Sequence, residues 1–432
     1  MLKKNDEITL FIHGLGSSGE GVGYLDGFTF FVDGALKNET IRAKITDCRK
    51  KFGFAKLISI ITPSSDRVKP PCPIFGKCGG CQLQHLAYEK QLEAKTQKVI
   101  DALSRIGKIN PTIIQNCISS PQPFAYRNKI QLPVFGTTLG LYAKNSHDLI
   151  PVDHCLIHCE LGEKVFQTIK RLLKENPVPL RHVLIKSAIA TQEVLVILVT
   201  SQKTSPIDLA IRIKQEITAV KGVIHNIHTG KENVILGDIY HTLIGESQIL
   251  ERLCDLTFSI SAASFFQVNP KQAENLYLKA LEFANVQPHE TVLDAYCGVG
   301  TLSLIFARRA KKVIGVECVP DAIIDAKENA KRNQITNVEF TCANSEEFIH
   351  RLTDIDVLVL NPPRKGADPT FLEGVKRLFP KKIIYISCDP ATLARDLAIL
   401  ESFGYKTEIV QPFDMFPQTS HVECVAHISR SI

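Results

Sequence analysis

One stretch constrains the fold of this chain more than any other. Residues 290–300 read "ETVLDAYCGVG", a β-forming run that ends in a carboxylate and a glycine-rich turn. The helix-like "TLSLIFARRA" follows at once, then "KKVIGVECV" as a second strand and "PDAIIDAKENAKRN" as a second helix. "NVEFTCAN", "IDVLVLNPP", "KKIIYISC" and "YKTEIVQPFD" supply further strands. Strands that alternate with helices in this way build a doubly wound α/β sheet, Rossmann-like in outline.

Ligands of such sheets bind outside the carboxyl ends of the strands, where strand order reverses. Asp294 and the glycines of "DAYCGVG" fall there. The full G-x-G-x-x-G spacing is missing, and the next helix has no Lys for a phosphate, which excludes a P-loop. Glu317 ends the second strand, 23 residues after Asp294. A carboxylate at that place can accept hydrogen bonds from both ribose hydroxyls. The pair fits a nucleoside cofactor without a pyrophosphate: S-adenosylmethionine first, a dinucleotide second.

The rest of the chain is organised differently. Residues 1–62 carry short strand-like runs broken by glycine, the pattern of a small OB-like β-barrel. Between Lys37 and Lys56 stand seven Lys/Arg and two Asp/Glu, a surplus that suits a polyanionic partner. A Pro/Ser-rich joint and a cysteine cluster fill 63–90. Residues 91–258 form a central α+β unit, with a helix at 90–106 and strands at "RHVLIKSAIA" and "EVLVILVTS". Residues 259–432 make the α/β unit.

No apolar run is long enough to cross a membrane. "MLKKNDEITL" has no signal-peptide core. A cytoplasmic monomer is the expectation, and thirteen cysteines in such a chain argue against a disulfide scaffold.

Two segments bear on the reaction. "LNPPRKG" (360–366) places Asn361 at a strand end, which by itself suggests methylation of a nitrogen. The aromatic residue that would clamp a planar amino group is replaced by Arg364. "KKIIYISCDPATLARDL" (381–397) places Cys388 at the next strand end, with Asp389 as N-cap and Pro390 as first helical residue. A thiol beside a helix N-terminus is expected to favour thiolate. Nitrogen has its own lone pair and needs no thiolate. C5 of a pyrimidine does, because addition of sulfur at C6 makes C5 nucleophilic. A base must then remove the C5 proton, and "SHVECVAHI" offers Glu423, with His421 beside it.

"SCDPATLARDL", "HVE", "DAYCGVGTLSL", "NPPRKG" and "SFFQVN" together resemble the RNA uridine-5-methyltransferase family over nearly the whole chain. "GEGVGYLDGFTFFVDGAL" resembles its N-terminal RNA-binding barrel, the TRAM domain. The resemblance implies Cys388 as nucleophile and Glu423 as base. It also implies a cofactor site lined by Gln267, Tyr296, Glu317, Asn344 and Asn361. Asn361 stands where that family most often has Asp, and Asn344 where an acidic residue is common, so a less negative pocket is expected.

"CPIFGKCGGC" sets Cys72, Cys78 and Cys81 at C-x5-C-x2-C. A tetrahedral thiolate site needs a fourth ligand. Cys155 of "VDHCLIHC" matches the family pattern, with Cys159 as alternative. The resemblance implies a [4Fe–4S] cluster, zinc being the other choice that spacing allows. The partner is RNA, ribosomal RNA ahead of transfer RNA, with the base turned out of its stack. Phe265 or Phe266 could stack on it, and Arg127, Lys129 and Arg364 could hold phosphates.

Overall fold

The computed structural model describes residues 2–201, 204–230 and 234–431. Its first unit is a closed barrel of five strands: Glu7–Leu15, Gly21–Leu25, Phe28–Asp33, Thr40–Cys48 and Phe52–Thr62. Period-two alternation turns Ile8, Leu10, Ile12, Ile41, Ala43 and Ile45 inward and leaves Glu7, Arg42 and Lys44 outside. Gly53 is required where strands cross closely, since a Cβ there would stand 2.7 Å from the Phe30 ring. All seven Lys/Arg between Lys37 and Lys56 are exposed. Glu39 is buried instead, and Arg67 donates to it at 2.6 and 2.9 Å, tying the proline-rich joint to the barrel.

The central unit is a seven-stranded sheet in the order Ile239–Gly245, Val220–Ile227, Glu193–Thr200, His182–Ala188, Lys129–Phe135, Thr138–Tyr142, Leu149–Pro151. "EVLVILVT" is apolar throughout because both its faces are covered. Val194, Val196 and Leu198 pack in one core with the helices Glu160–Glu175 and Ile207–Glu216. Leu195, Ile197 and Val199 pack in another with the hairpin Gln248–Leu253/Leu256–Ser261 and the C-terminal unit.

The C-terminal sheet runs Val338–Cys342, Lys312–Glu317, Thr291–Ala295, Val357–Leu360, Lys382–Ser387, Glu423–Arg430, Tyr405–Phe413. The first five strands are parallel, and Glu423–Arg430 enters antiparallel between its neighbours. Strand order reverses between Thr291–Ala295 and Val357–Leu360, which fixes where a ligand can bind.

One segment sits elsewhere than sequence periodicity suggests. The helix Tyr88–Ala102, closed by a π turn at Leu103–Gly107, packs on the C-terminal unit through Val99 and Leu103, not on the central sheet. Its buried Lys95 pairs with Asp414, which also accepts from Tyr88 Oη at 2.9 Å. Residues Ile114 and Ile118 then bridge in parallel to Val410 and Phe413. The partners are some 319 positions away, beyond the reach of local pattern. The division expected at 258/259 likewise falls inside the strand Leu256–Ser261.

Candidate active site

A cavity of about 940 Å³ opens at the carboxyl ends of the C-terminal strands, at the point of reversal. Gln267, Tyr296, Glu317, Asn344 and Asn361 all line it. The turn after Thr291–Ala295 is left-handed at Tyr296 (φ 67°), Gly298 (φ 55°) and Gly300 (φ 81°). At Gly300 a side chain is also excluded by space, a Cβ lying 2.7 Å from Phe340. Tyr296 tolerates the conformation because it is anchored: its hydroxyl donates to Glu346 at 3.1 Å and its ring lies 5.5 Å from Phe371. Glu317 is equally fixed. One oxygen accepts from Gly298 N at 3.2 Å, the other from Cys318 N and Val319 N at 2.9 and 3.0 Å.

Asp294 differs from expectation. It is not in the wall but buried beneath it, accepting from Ser303 Oγ at 2.5 Å. Burial pushes its carboxyl up to about 7 against the Ser303 hydrogen bond. Asp321, Asp325, Glu346 and Asp368 line the cavity with Glu317, facing Lys365. The pocket therefore stays acidic despite Asn361 and Asn344. Glu346 is legible only in three dimensions, since Asn344 starts the one-turn helix Ser345–Phe348 that carries it. A cavity of this size with a fixed carboxylate at the second strand end and an acidic lining suits a cationic nucleoside such as S-adenosylmethionine.

Cys388 and Glu423 lie next to this cavity, not in its wall. Ser387 pairs with Cys424 across the antiparallel strands, and the next step sets Cys388 opposite Glu423. Glu423 is almost wholly buried, and burial alone raises its carboxyl to about 7. The Cys388 thiol is raised as well, by burial first and by Glu423 next, with Arg364 acting the other way. Asp389, which caps the following helix, adds its own charge to the rise. The Asp389 carboxylate accepts from Ala391 N at 2.8 Å and Thr392 N at 3.3 Å. The same helix, Pro390–Ser402, holds "NPPRKG" in place: Thr392 Oγ1 donates to Arg364 O and Arg395 to Lys365 O. His421 is pushed down to about 4 by burial and then by Arg364, which makes it a neutral neighbour.

The residues considered for RNA contact separate. Both Phe265 and Phe266 reach the cavity wall, but Phe265 is 68% exposed whereas Phe266 is buried against Phe258. Arg127 Nε donates to Lys129 O at 2.8 Å, so that guanidinium is partly engaged within the protein.

The four cysteines expected to act together also meet. Cys72, Cys78, Cys81 and Cys155 line one cavity of about 210 Å³. Burial first raises the Cys81 thiol to about 12, opposed by Gln84, and the other three cysteines add to the rise. Cys159 is not in that wall. It caps the helix Glu160–Glu175, accepting from Gly162 N at 3.4 Å. Among the described residues no group of three or more His, Cys, Asp or Glu is gathered closely enough to hold a single metal ion as it stands. No described helix is long and apolar enough to cross a membrane.

A mostly parallel sheet with an acidic pocket at its strand ends is the architecture of an S-adenosylmethionine-dependent methyltransferase, here joined to a small N-terminal barrel. Comparison with known proteins narrows the class. Residues 87–431 match the family described as tRNA (Uracil-5-)-methyltransferase, and residues 2–58 match the TRAM domain. An uncharacterized RNA methyltransferase of Clostridium acetobutylicum is 45% identical, covering 99% of this chain and 98% of its own. One from Clostridium tetani is 43% identical over 98% and 96%. The crystal structure of Pyrococcus abyssi tRNA (uracil-54, C5)-methyltransferase in complex with S-adenosyl-L-homocysteine superposes with a TM-score of 0.80. It is 28% identical and covers 98% of this chain and 100% of its own. The chain belongs to the tRNA (uracil-5-)-methyltransferase family and is an RNA (uracil-5-)-methyltransferase.

Proposed function

We propose that the enzyme forms 5-methyluridine in large-subunit ribosomal RNA through a covalent Cys388 adduct. The observation that carries this reading is the placement of Cys388 opposite a buried, uncompensated Glu423, one strand from Asn361. Cys388 Sγ adds to C6 of a uracil turned out of its stack, and the electron pair moves to C5. S-adenosylmethionine, when bound, supplies the methyl group that C5 takes. Gln267, Tyr296, Glu317, Asn344 and Asn361 hold it. Glu423 then removes the C5 proton, the C6–S bond breaks, and the thiolate is restored. A carboxyl that titrates near neutral pH is suited to that proton transfer. Arg364 lowers the thiol's cost of ionising, and exposed Phe265 offers a face on which a base can stack.

The cysteine-lined cavity supports a [4Fe–4S] cluster held by Cys72, Cys78, Cys81 and Cys155. Four cysteines lining one cavity is the observation behind this reading, and zinc is the alternative that the same thiols fit. Its place is structural, since no redox step occurs. Ribosomal RNA as substrate rests on the family resemblance of the cysteine motif. Transfer RNA is the second reading, favoured by the transfer-RNA specificity that the Pyrococcus abyssi neighbour's name carries.

RNA containing 5-fluorouridine tests the mechanism. The wild type should form a covalent adduct that survives denaturation, and C388A none. No adduct on the RNA that the enzyme methylates would sink the reading. Mapping 5-methyluridine in ribosomal and transfer RNA of a deletion strain decides the substrate.

A further inference from the structure

The cavity wall between the hairpin and the next helix, residues Ser261–Val268, has little structure of its own. It carries Ala263, Ser264, Phe265, Phe266 and Gln267 to the cofactor cavity. Within the segment, Ser261 and Ser264 bond reciprocally: each backbone N donates to the other's hydroxyl, at 2.9 and 3.2 Å. Further bonds come from the central unit. Lys186, on the central strand His182–Ala188, is 5% exposed and donates to three carbonyls: Ser261 O at 2.8 Å, Ala262 O at 2.7 Å and Ser264 O at 2.8 Å. These use all three protons of the ammonium. Lys129 pairs with Lys186 in the sheet register, and Asn128 stands one residue before Lys129. Asn128 N donates to Val268 O at 2.9 Å and its Nδ2 to Gln267 O at 3.1 Å.

A buried ammonium is expensive unless its donors are satisfied. Burial pushes Lys186 down to about 7, Lys129 adds to the fall, and Asp325, itself in the cavity wall, opposes it. A Met would fill the same space without that cost, so core packing does not account for a lysine here. Three convergent carbonyls of one segment do.

We infer that Lys186, seconded by Asn128, is a positioning residue that shapes the S-adenosylmethionine site from the central unit by clamping Ser261–Val268 against it. The inference rests on the cavity being the cofactor site. Charge-assisted bonds to three carbonyls of one segment hold Gln267 and Phe265 where ligand and base meet. The central unit thereby tunes cofactor affinity without touching the cofactor.

Calorimetric titration of the full chain with S-adenosylhomocysteine tests this, with E317A as control for the site. The K186M variant should bind at least about tenfold more weakly, as loss of one or two net hydrogen bonds requires. K186R, which keeps charge and donors, should recover most of the affinity. In turnover the KM for S-adenosylmethionine should rise in K186M and return toward the wild-type value in K186R. Unaltered affinity in folded K186M overturns the inference. Should K186M not fold, N128A reads the same clamp: weaker binding by about threefold supports it, unchanged binding overturns it. Wild-type affinity in E317A would instead remove the cofactor-site reading itself.

Discussion

Cys388 and Glu423 are the next residues along their strands beyond the Ser387–Cys424 pair, and Glu423 adds to the burial that raises the Cys388 thiol. The site therefore favours one anion at a time, which matches a cycle in which sulfur and carboxylate act in succession. Glu423→Gln removes the base but leaves the nucleophile. Turnover should fall by about 10²–10⁴-fold. The methylated adduct should accumulate on ordinary RNA, visible as a slow-migrating band in denaturing gels.

Glu423 also sets a pH dependence. Its folded carboxyl titrates near 7, above the ordinary 4.5. Folding then favours the protonated form, so stability is highest below 4.5 and declines as pH rises from there to 7. The full shift corresponds to about 3 kcal/mol at most, and Asp294 adds in the same window. E423Q should be more stable than wild type at pH 8 and equal to it near pH 4. Urea midpoints at the two pH values measure this. Activity runs the opposite way, rising through pH 7 as Glu423 ionises.

Asn361 lines a cavity meant for a sulfonium cation. Asn361→Asp should strengthen S-adenosylmethionine relative to neutral S-adenosylhomocysteine by roughly threefold to tenfold, as one partly screened charge at close range requires. Equal effects on both ligands would place Asn361 away from the sulfur.

Cys155, not Cys159, shares the cavity of Cys72, Cys78 and Cys81. Protein purified without oxygen should be brown and contain iron. Cys155→Ser should lose iron, and Cys159→Ser should keep it. Iron retained in C155S would reassign the fourth ligand.

Lys95 and Asp414 form an ion pair that is buried on both sides. Lys95→Met leaves Asp414 without its counter-charge, a loss of about 3–5 kcal/mol. Denaturant unfolding measures it, and the double variant K95M/D414L should regain much of the difference.

Much of the C-terminal sheet can be read from sequence because each βα unit is local. Glu317 and Asn361 are strand ends whichever way the chain is viewed, and Tyr296 belongs to a glycine-rich turn. The neighbours that give them meaning are less local. Glu346 becomes a wall residue only through the one-turn helix after Asn344. Asp294 lies one residue too early to reach the rim, and alternation turns it under. Asp389 was legible as a cap, yet its consequence, a helix end already occupied beside Cys388, follows only from hydrogen bonds. Lys186 gives no signal at all in "HVLIKSA", because its partners are carbonyls of another unit. The helix at 88–102 reads as an ordinary amphipathic segment, since Asp414 is far along the chain.

That last separation has a consequence for synthesis. The helix Tyr88–Ala102 leaves the ribosome early with a cation on the face it must bury. Its counter-charge at Asp414 emerges 319 positions after Lys95, together with the strand edge at Val410–Phe413. The nascent chain must keep that face waiting while most of the protein is made. Contacts of such long sequence separation are slow to form and leave intermediates exposed. A product that stops short of Asp414 keeps the contact of this helix with Pro390–Ser402 but leaves Lys95 buried without its counter-charge.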